Sequence, residues 1–197
     1  DPTCDGVKGK AILGAVNYLA EQGQNTIYVL TNTAGGDGQD VFPWADPDFS
    51  KVAKNKTFDQ AVNQTAGLEA EDFSVFDVSK LAQWEIVFDH MDEKGIYKNL
   101  LLQETENDQL LNGGTDINGP LDVERLIYMR EMVARFGHNN GLQWNLGEEN
   151  TNTPAEREAM ASFLEEIDPY GHLVVIHSFP SQIDQVYNPL LGYDDFD

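Results

Sequence analysis

The sequence predicts an α/β fold in which helices cover a parallel β-sheet. Helix-like and strand-like segments alternate along the 197 residues. The strand-like segments are short, continuous apolar runs, which is typical of strands covered on both faces. With 41% hydrophobic residues, the chain also has enough apolar side chain for a sizeable core. Two architectures have these features, a doubly wound sheet and a (β/α)8 barrel.

The first half of the chain is predicted to contain two helices and two strands. Apolar residues at three- and four-residue spacing predict a helix over residues 8–22. Residues 26–31 are rich in β-branched and aromatic side chains, which predicts a buried strand. The polar segment 32–76 is predicted to be a long loop, and a connection of this length is usually functional. A helix over 77–95 and a strand over 96–103 follow.

The second half repeats this alternation, with helices over 121–136 and 154–167 and strands over 142–146 and 172–177. The four strands begin about 49 residues apart, so eight would need roughly 390 residues, a length that barrels with insertions reach. No phosphate-binding glycine fingerprint follows a strand, which makes a nucleotide-binding sheet the weaker alternative. The sequence therefore predicts about half of a (β/α)8 barrel over residues 1–197, and we expect a segment of a longer protein.

The charge of the chain bears on its partners. Twelve Lys and Arg residues stand against 34 Asp and Glu residues, which gives a formal net charge of −22. An acidic surface repels the phosphates of nucleic acids and of anionic membranes, so neither is an expected partner. No run of about 18 apolar residues is present to span a bilayer. The single cysteine, Cys4, cannot form an intramolecular disulfide. A neutral or cationic partner is expected.

Polar side chains follow each predicted strand. In parallel α/β folds, functional residues gather beyond the carboxyl ends of the strands because the loops converge there. The candidates are Asn32, Glu104 within 103–106, Asn145 and residues 147–150, and His177. Amides and carboxylates suit sugar hydroxyls, whereas the lack of cysteine ligands and of an H-x-x-x-H pair argues against zinc. We therefore expect a carbohydrate ligand, no metal and no other cofactor.

The segment QWNLGEEN, residues 143–150, carries the most specific chemical signal. A glutamate in a partly buried pocket at a strand end can protonate a glycosidic oxygen, with a second carboxylate as nucleophile or base. Glu149 is the predicted acid/base. Glu148 is predicted to bind substrate or to hold its neighbour, because adjacent side chains usually point in different directions. The alternative for Glu149 is a cap on the following helix.

Two further residues have competing interpretations. His177 either contacts the sugar or is a strand-end histidine that is satisfied by its neighbours. Trp44, in a loop beside Pro43, either stacks on a sugar ring or plugs the barrel mouth. The predicted substrate-binding residues are Glu148, Asn145, Glu104, Asn32, His177 and Trp44.

Four segments carry a resemblance to a known family: FDVSKLAQWEIVFDHMDEKGIY, LLLQETEN, RLIYMREMVARFGHNNGLQWNLGEEN and DPYGHLVVIHSFP. They resemble a little-characterised family of secreted bacterial (β/α)8-barrel proteins that is similar to the apiosidase-like glycoside hydrolases and related to the clan A retaining glycosidases. The resemblance covers residues 9–192. It implies a secreted, periplasmic or cell-surface location and β-sandwich domains fused to the rest of the barrel.

The resemblance also implies roles for the strand-end residues. In that clan, strand four ends in Asn-Glu and the glutamate is the acid/base, which matches Glu149, whereas Glu148 replaces the asparagine. The four strands are then strands two to five, and the nucleophile, at the end of strand seven, lies outside the 197 residues. The implied function is hydrolysis of a polysaccharide or oligosaccharide. A non-catalytic glycan-binding or extracellular assembly protein built on the same barrel is the alternative.

Overall fold

A computed structural model describes residues 12–34, 41–45, 73, 75–108, 110–111 and 120–197. Cys4, the predicted start of the first helix and most of the 32–76 segment lie outside these residues. Helices and strands alternate as predicted. They are α1 (Ile12–Glu21), β1 (Thr26–Leu30), α2 (Val78–Glu93), β2 (Tyr97–Leu101), α3 (Val123–Phe136), β3 (Leu142–Asn145), α4 (Pro154–Ile167), β4 (Val174–Val175), α5 (Ile183–Tyr187) and a 3-10 helix (Asn188–Leu190).

The four strands form one parallel sheet in the order β1-β2-β3-β4. In the register of the sheet, Thr26 pairs with Tyr97, Lys98 with Leu142, and Trp144 with Val174. Each strand therefore lies beside the next one along the chain, and a helix connects each pair of neighbours. This is the βαβ connection that a barrel repeats. The predicted parallel α/β sheet is confirmed.

The register divides the sheet into two faces. The row that faces the helices contains Val29, Leu100, Trp144 and Val174. Three of these four side chains are completely buried, and they belong to one core that also includes residues of α2, α3 and α4. The opposite row contains Tyr28, Asn99 and Gln143, none of which is buried within the described part of the chain. In a barrel this second face lines the interior.

Local signals fix where two of the helices begin. Asp77 caps α2, because its carboxylate accepts hydrogen bonds from the backbone N–H groups of Ser79 and Lys80. Thr153 caps α4 in a capping box with Glu156, and Pro154 occupies the first turn. The longest described helix, α2, has 16 residues. Within the described ranges, no helix is both long enough and apolar enough to cross a membrane.

Candidate functional site

The carboxyl ends of the strands bring five side chains together. The hydroxyl of Tyr28, on β1, lies 3.4 Å from Nδ1 of His177, which follows β4. Glu148 and Glu149 follow β3, Glu104 follows β2, and all three carboxylates act electrostatically on the Tyr28 phenol. We call these five residues the mouth cluster. Four of them were predicted from the sequence, and Tyr28 was not.

The phenol of Tyr28 is surrounded by negative charge. Burial raises its pKa, and the charges of Glu148 and Glu149 raise it further. Glu104 and a hydrogen bond with the Glu148 side chain act in the same direction. The phenol therefore keeps its proton at ordinary pH and remains a hydrogen-bond donor.

The turn after β3 holds the two glutamates in an unusual backbone conformation. Gly147 has φ +153°, and a Cβ atom there would lie 2.7 Å from Cγ of Gln103, so this close approach requires glycine. The next residue, Glu148, donates its backbone N–H to the Gln103 carbonyl oxygen at 3.0 Å. Glu149 has φ +47° and is the only non-glycine residue with positive φ in the described ranges. Such conformations cost on the order of 1 kcal/mol and cluster at functional sites.

His177 binds two consecutive amides of this turn. The backbone N–H of Glu149 donates to His177 Nδ1 at 3.3 Å, and the N–H of Asn150 donates to the His177 carbonyl oxygen at 3.2 Å. Because Nδ1 accepts, the proton of a neutral imidazole lies on Nε2. The rings of Tyr28 and His177 meet edge to face, with centroids 6.3 Å apart.

A network of buried polar side chains holds the turn after β3. Asn150 is completely buried, and its Oδ1 accepts hydrogen bonds from Arg157 Nε and from the backbone N–H of Asn152, both at 3.0 Å. Its Nδ2 donates to the Leu146 carbonyl oxygen at 3.3 Å and to Asn152 Oδ1 at 2.9 Å. All the hydrogen-bonding capacity of this amide is therefore used within the protein.

The same network includes residues that follow β2 in the chain. Gln103 accepts a hydrogen bond from Arg125 and donates to Asn152 Oδ1 at 2.6 Å. The carboxylate of Asp108 accepts from the backbone N–H and the hydroxyl of Thr151, at 2.6 and 2.7 Å. Burial lowers the pKa of Arg125, and the charge of Asp108 opposes this effect. These residues hold the turn and are not placed to touch a ligand.

Asn145 and Asn32 also shape turns. The backbone N–H of Gly147 donates to Asn145 Oδ1 at 3.1 Å, and that of Ala34 donates to Asn32 Oδ1 at 2.9 Å. Both asparagines are buried, with 3% and 0% of their surface exposed. Nδ2 of Asn32 has no hydrogen-bond partner within the described part of the chain. Sugar contact by these two residues stays a prediction.

Trp44 lies in an aromatic core and not at the mouth. Its side chain is completely buried, with ring centroids 4.8 Å from Phe73 and 5.2 Å from Tyr128. The backbone beside it pairs with Phe76, at the other end of the long loop. No face of the indole is open to a sugar ring, so the predicted stacking role is corrected to a packing role.

The alternative role of Glu149 as a helix cap is filled by another residue. Helix α4 begins at Pro154 and is capped by the Thr153 side chain, four residues beyond Glu149. Glu149 is therefore not needed to satisfy the first turn of that helix. Glu149 is partly exposed, has a left-handed backbone conformation and lies in the mouth cluster.

The sequence did not point to Tyr28 or to the buried amide Asn152, and it placed Asn150 among the candidate residues without predicting that its amide holds the turn. Tyrosine is an ordinary strand residue, so nothing in the run TIYVLT marks Tyr28 as special. Asn150 and Asn152 do stand in an N-x-N pattern next to the glutamates, which is a usable signal for a turn. Among the residues that the structure describes, no group of three or more His, Cys, Asp or Glu side chains could hold a metal ion.

No family model matches the sequence, and no curated protein matches it. Solved structures do match its fold. A candidate glycoside hydrolase of Bacteroides vulgatus has a TM-score of 0.59 at 20% identity, over 88% of this chain and 33% of its own. A family 5 mannosidase of Rhizomucor miehei, solved with mannosyl-fructose, has a TM-score of 0.59 at 11% identity, over 98% of this chain and 51% of its own. A Pseudomonas stutzeri endoglucanase, solved with cellobiose, has a TM-score of 0.50 at 14% identity, over 82% and 40%.

The four-stranded sheet and its helices match part of a TIM-barrel fold. The chain spans between a third and about half of the length of these glycoside hydrolases. In this fold, the loops that follow the strands form the active site, and the mouth cluster lies at that end of the sheet. Identities of 20% or less show the fold alone and transfer no catalytic residue.

Proposed function

We propose that the full-length protein is a glycoside hydrolase that acts on a polysaccharide or oligosaccharide, with Glu149 as its general acid/base. One observation carries this proposal. Glu149 stands in a strained, left-handed conformation at the carboxyl end of β3, beside two more carboxylates, a phenol and an imidazole. The fold, which the chain shares with glycoside hydrolases of known structure, adds support.

The chemistry assigned to Glu149 is proton transfer. Its carboxyl group gives a proton to the glycosidic oxygen as the bond between that oxygen and the anomeric carbon breaks. A second carboxylate then either attacks the anomeric carbon or removes a proton from the attacking water. We assign this second carboxylate to a part of the full-length protein outside the 197 residues. Glu148 and Glu104 are assigned to sugar hydroxyls, together with Asn145 and Asn32.

The substitution Glu149→Gln tests the role of the acid. In the full-length protein, we expect it to lower kcat/KM for a natural polysaccharide by about 10²-fold or more, because an amide cannot donate the catalytic proton. A dinitrophenyl glycoside has a leaving group that departs without protonation, so the loss on that substrate should be much smaller. A polysaccharide panel with reducing-sugar detection identifies the natural substrate first.

Two variants serve as controls for this measurement. Glu166→Gln, on the exposed side of α4, should leave both activities unchanged. Glu148→Gln should lower both activities by a similar factor, because a binding role does not depend on the leaving group. Wild-type activity of Glu149→Gln on the polysaccharide contradicts the assignment. Glycan binding without hydrolysis of any substrate favours the non-catalytic alternative.

We also propose that the protein acts outside the cytoplasm, at the cell surface or after secretion. The proposed substrate supports this location, because intact polysaccharides are met outside the cell. The remaining strands of the barrel, and possible fused β-sandwich domains, are proposed partners of the described segment within the same protein. Fractionation of the source cells, followed by immunodetection, tests the location. Recovery in the cytoplasm alone contradicts it.

A further inference from the structure

We propose that His177 is a positioning residue for Glu149, and that Tyr28 holds the His177 ring in the orientation that this requires. The inference rests on the proposed function, because it gives a purpose to the residues that fix the proposed acid. It replaces a direct sugar contact by His177 with a structural action on the turn.

The first observation is that His177 holds two adjacent amides. Its side chain accepts the N–H of Glu149 at 3.3 Å, and its carbonyl oxygen accepts the N–H of Asn150 at 3.2 Å. The two contacts lie on either side of the Glu149 Cα–C bond. A residue held in this way cannot rotate about its backbone without breaking one of them.

The second observation is the position of Tyr28. Its hydroxyl lies 3.4 Å from the same Nδ1 atom, and its ring stands edge-on to the imidazole at 86°. Nδ1 has one lone pair, which accepts the Glu149 N–H, and the single phenol proton is donated to the Glu148 carboxylate, so Tyr28 fixes the imidazole by edge-to-face packing. Because burial and the neighbouring carboxylates raise the pKa of Tyr28, the phenol retains the proton that it donates.

These contacts matter because the conformation that they hold is unfavourable. With φ +47°, Glu149 gains stability by returning to an ordinary backbone region unless something holds it. Such a rotation would move the carboxyl group away from the glycosidic oxygen. Misplacement of a catalytic group by about 1 Å can cost about 10²-fold in rate.

Two substitutions of His177 separate positioning from sugar contact. Asparagine places its Oδ1 near the position of Nδ1 and can accept the Glu149 N–H, whereas glutamine places its polar atoms near Nε2. If His177 positions Glu149, His177→Asn keeps kcat within about threefold, because the hydrogen bond is retained. His177→Gln then lowers kcat by about 10-fold or more, with KM little changed.

The reverse pattern overturns the proposal. A sugar contact through Nε2 predicts that His177→Gln is the tolerated variant and that His177→Asn raises KM. Equal losses in both variants, or no loss in either, also overturn it. If both variants fail to fold, Tyr28→Leu decides, because it removes the aromatic edge that packs against the imidazole. If the substitution lowers kcat several-fold more on the polysaccharide than on a dinitrophenyl glycoside, this supports positioning. An equal loss on the two substrates contradicts it.

Hydrogen exchange at the Glu149 amide gives a readout that needs no activity. Exchange should be faster in His177→Gln than in the wild type and in His177→Asn. This pattern supports the backbone contact whatever Glu149→Gln does to catalysis, so failure of the proposed function is distinguishable from failure of this inference. Equal exchange in all three proteins overturns it.

Discussion

The two histidines that flank β4 show two uses of one side chain. His172 precedes the strand. Its Nδ1 lies 2.8 Å from Asp168 Oδ2, and its Nε2 lies 3.0 Å from the Asn139 carbonyl oxygen. Both nitrogens therefore have close partners, and only 9% of the side chain is exposed. His177 follows the strand, accepts the Glu149 N–H on Nδ1 at 3.3 Å, and has no partner for Nε2 within the described ranges.

The side chains that surround the two histidines also differ. Besides His172, the carboxylate of Asp168 accepts hydrogen bonds from Trp144 Nε1 at 2.8 Å and from the Tyr170 backbone N–H at 2.9 Å. Near His177, three carboxylates share the mouth with one phenol, and Glu149 carries backbone strain. Both ring nitrogens of the histidine at the amino end therefore have partners, whereas the histidine at the carboxyl end has none for Nε2 within the described ranges. This difference is the one expected of a TIM barrel.

The largest loss of stability is expected when the hydrogen bonds at the amino end of the sheet are removed. Asp168→Ala leaves the indole N–H of Trp144 and the ring of His172 without their acceptor. We expect the full-length protein to lose about 3 kcal/mol of unfolding free energy, because buried polar groups lose their partners. Denaturation followed by tryptophan fluorescence measures this loss.

A second Asp–His pair supplies the matched control. Asp89 and His138 approach to 3.7 Å, with side chains 58% and 45% exposed. Asp89→Ala should cost less than about 1 kcal/mol, because exposed ion pairs are weak. Equal losses from the two substitutions would show that the amino end of the sheet is not the stabilising one.

The pH dependence of stability sharpens the same comparison. Burial alone would raise the pKa of Asp168, but hydrogen bonds from Trp144 and Tyr170, and then from His172, lower it below its ordinary value. The ionised form is therefore favoured by folding. Its contribution is present above the unfolded pKa of about 3.9 and is lost as the pH falls through the folded value.

We therefore expect the wild type and Asp168→Asn to differ most at neutral pH and to converge below about pH 4. Denaturation midpoints of the two full-length proteins between pH 7 and the acid transition measure this convergence. Parallel curves would mean that the Asp168 carboxylate does not contribute through its charge.

The elements with local signals were predictable from the sequence. The bounds of α4 agree with the prediction, because Thr153, Pro154 and Glu156 mark its start within four residues. β4 is two residues long, whereas a strand over 172–177 was predicted. The apolar run over 172–177 is longer than the part that pairs with β3. Its two end residues have other partners, because His172 is held by Asp168 and His177 by the turn after β3. Hydrophobicity alone does not show where pairing ends.

The site was predictable only where a strand end marked it. The rule that loops converge beyond parallel strands found Glu104, Glu148, Glu149 and His177. It could not find Tyr28, which lies within a strand and meets His177 across 149 residues of sequence. That contact depends on strand register and on which face each residue occupies. The stacking role predicted for Trp44 was wrong because this residue lies in a segment of polar sequence, yet its indole is buried in the core.

The smallest expected effect tests the strain at the mouth. Glycine adopts positive φ without steric cost, whereas alanine does not. Glu149→Gly should therefore be more stable than Glu149→Ala by about 1 kcal/mol, although both lack the carboxyl group. The same pair at Glu148, where φ is not positive, should show the reverse order, because glycine there only adds freedom to the unfolded chain. Thermal denaturation of the four variants measures both differences. If alanine is the more stable residue at both positions, the backbone of Glu149 stores no strain.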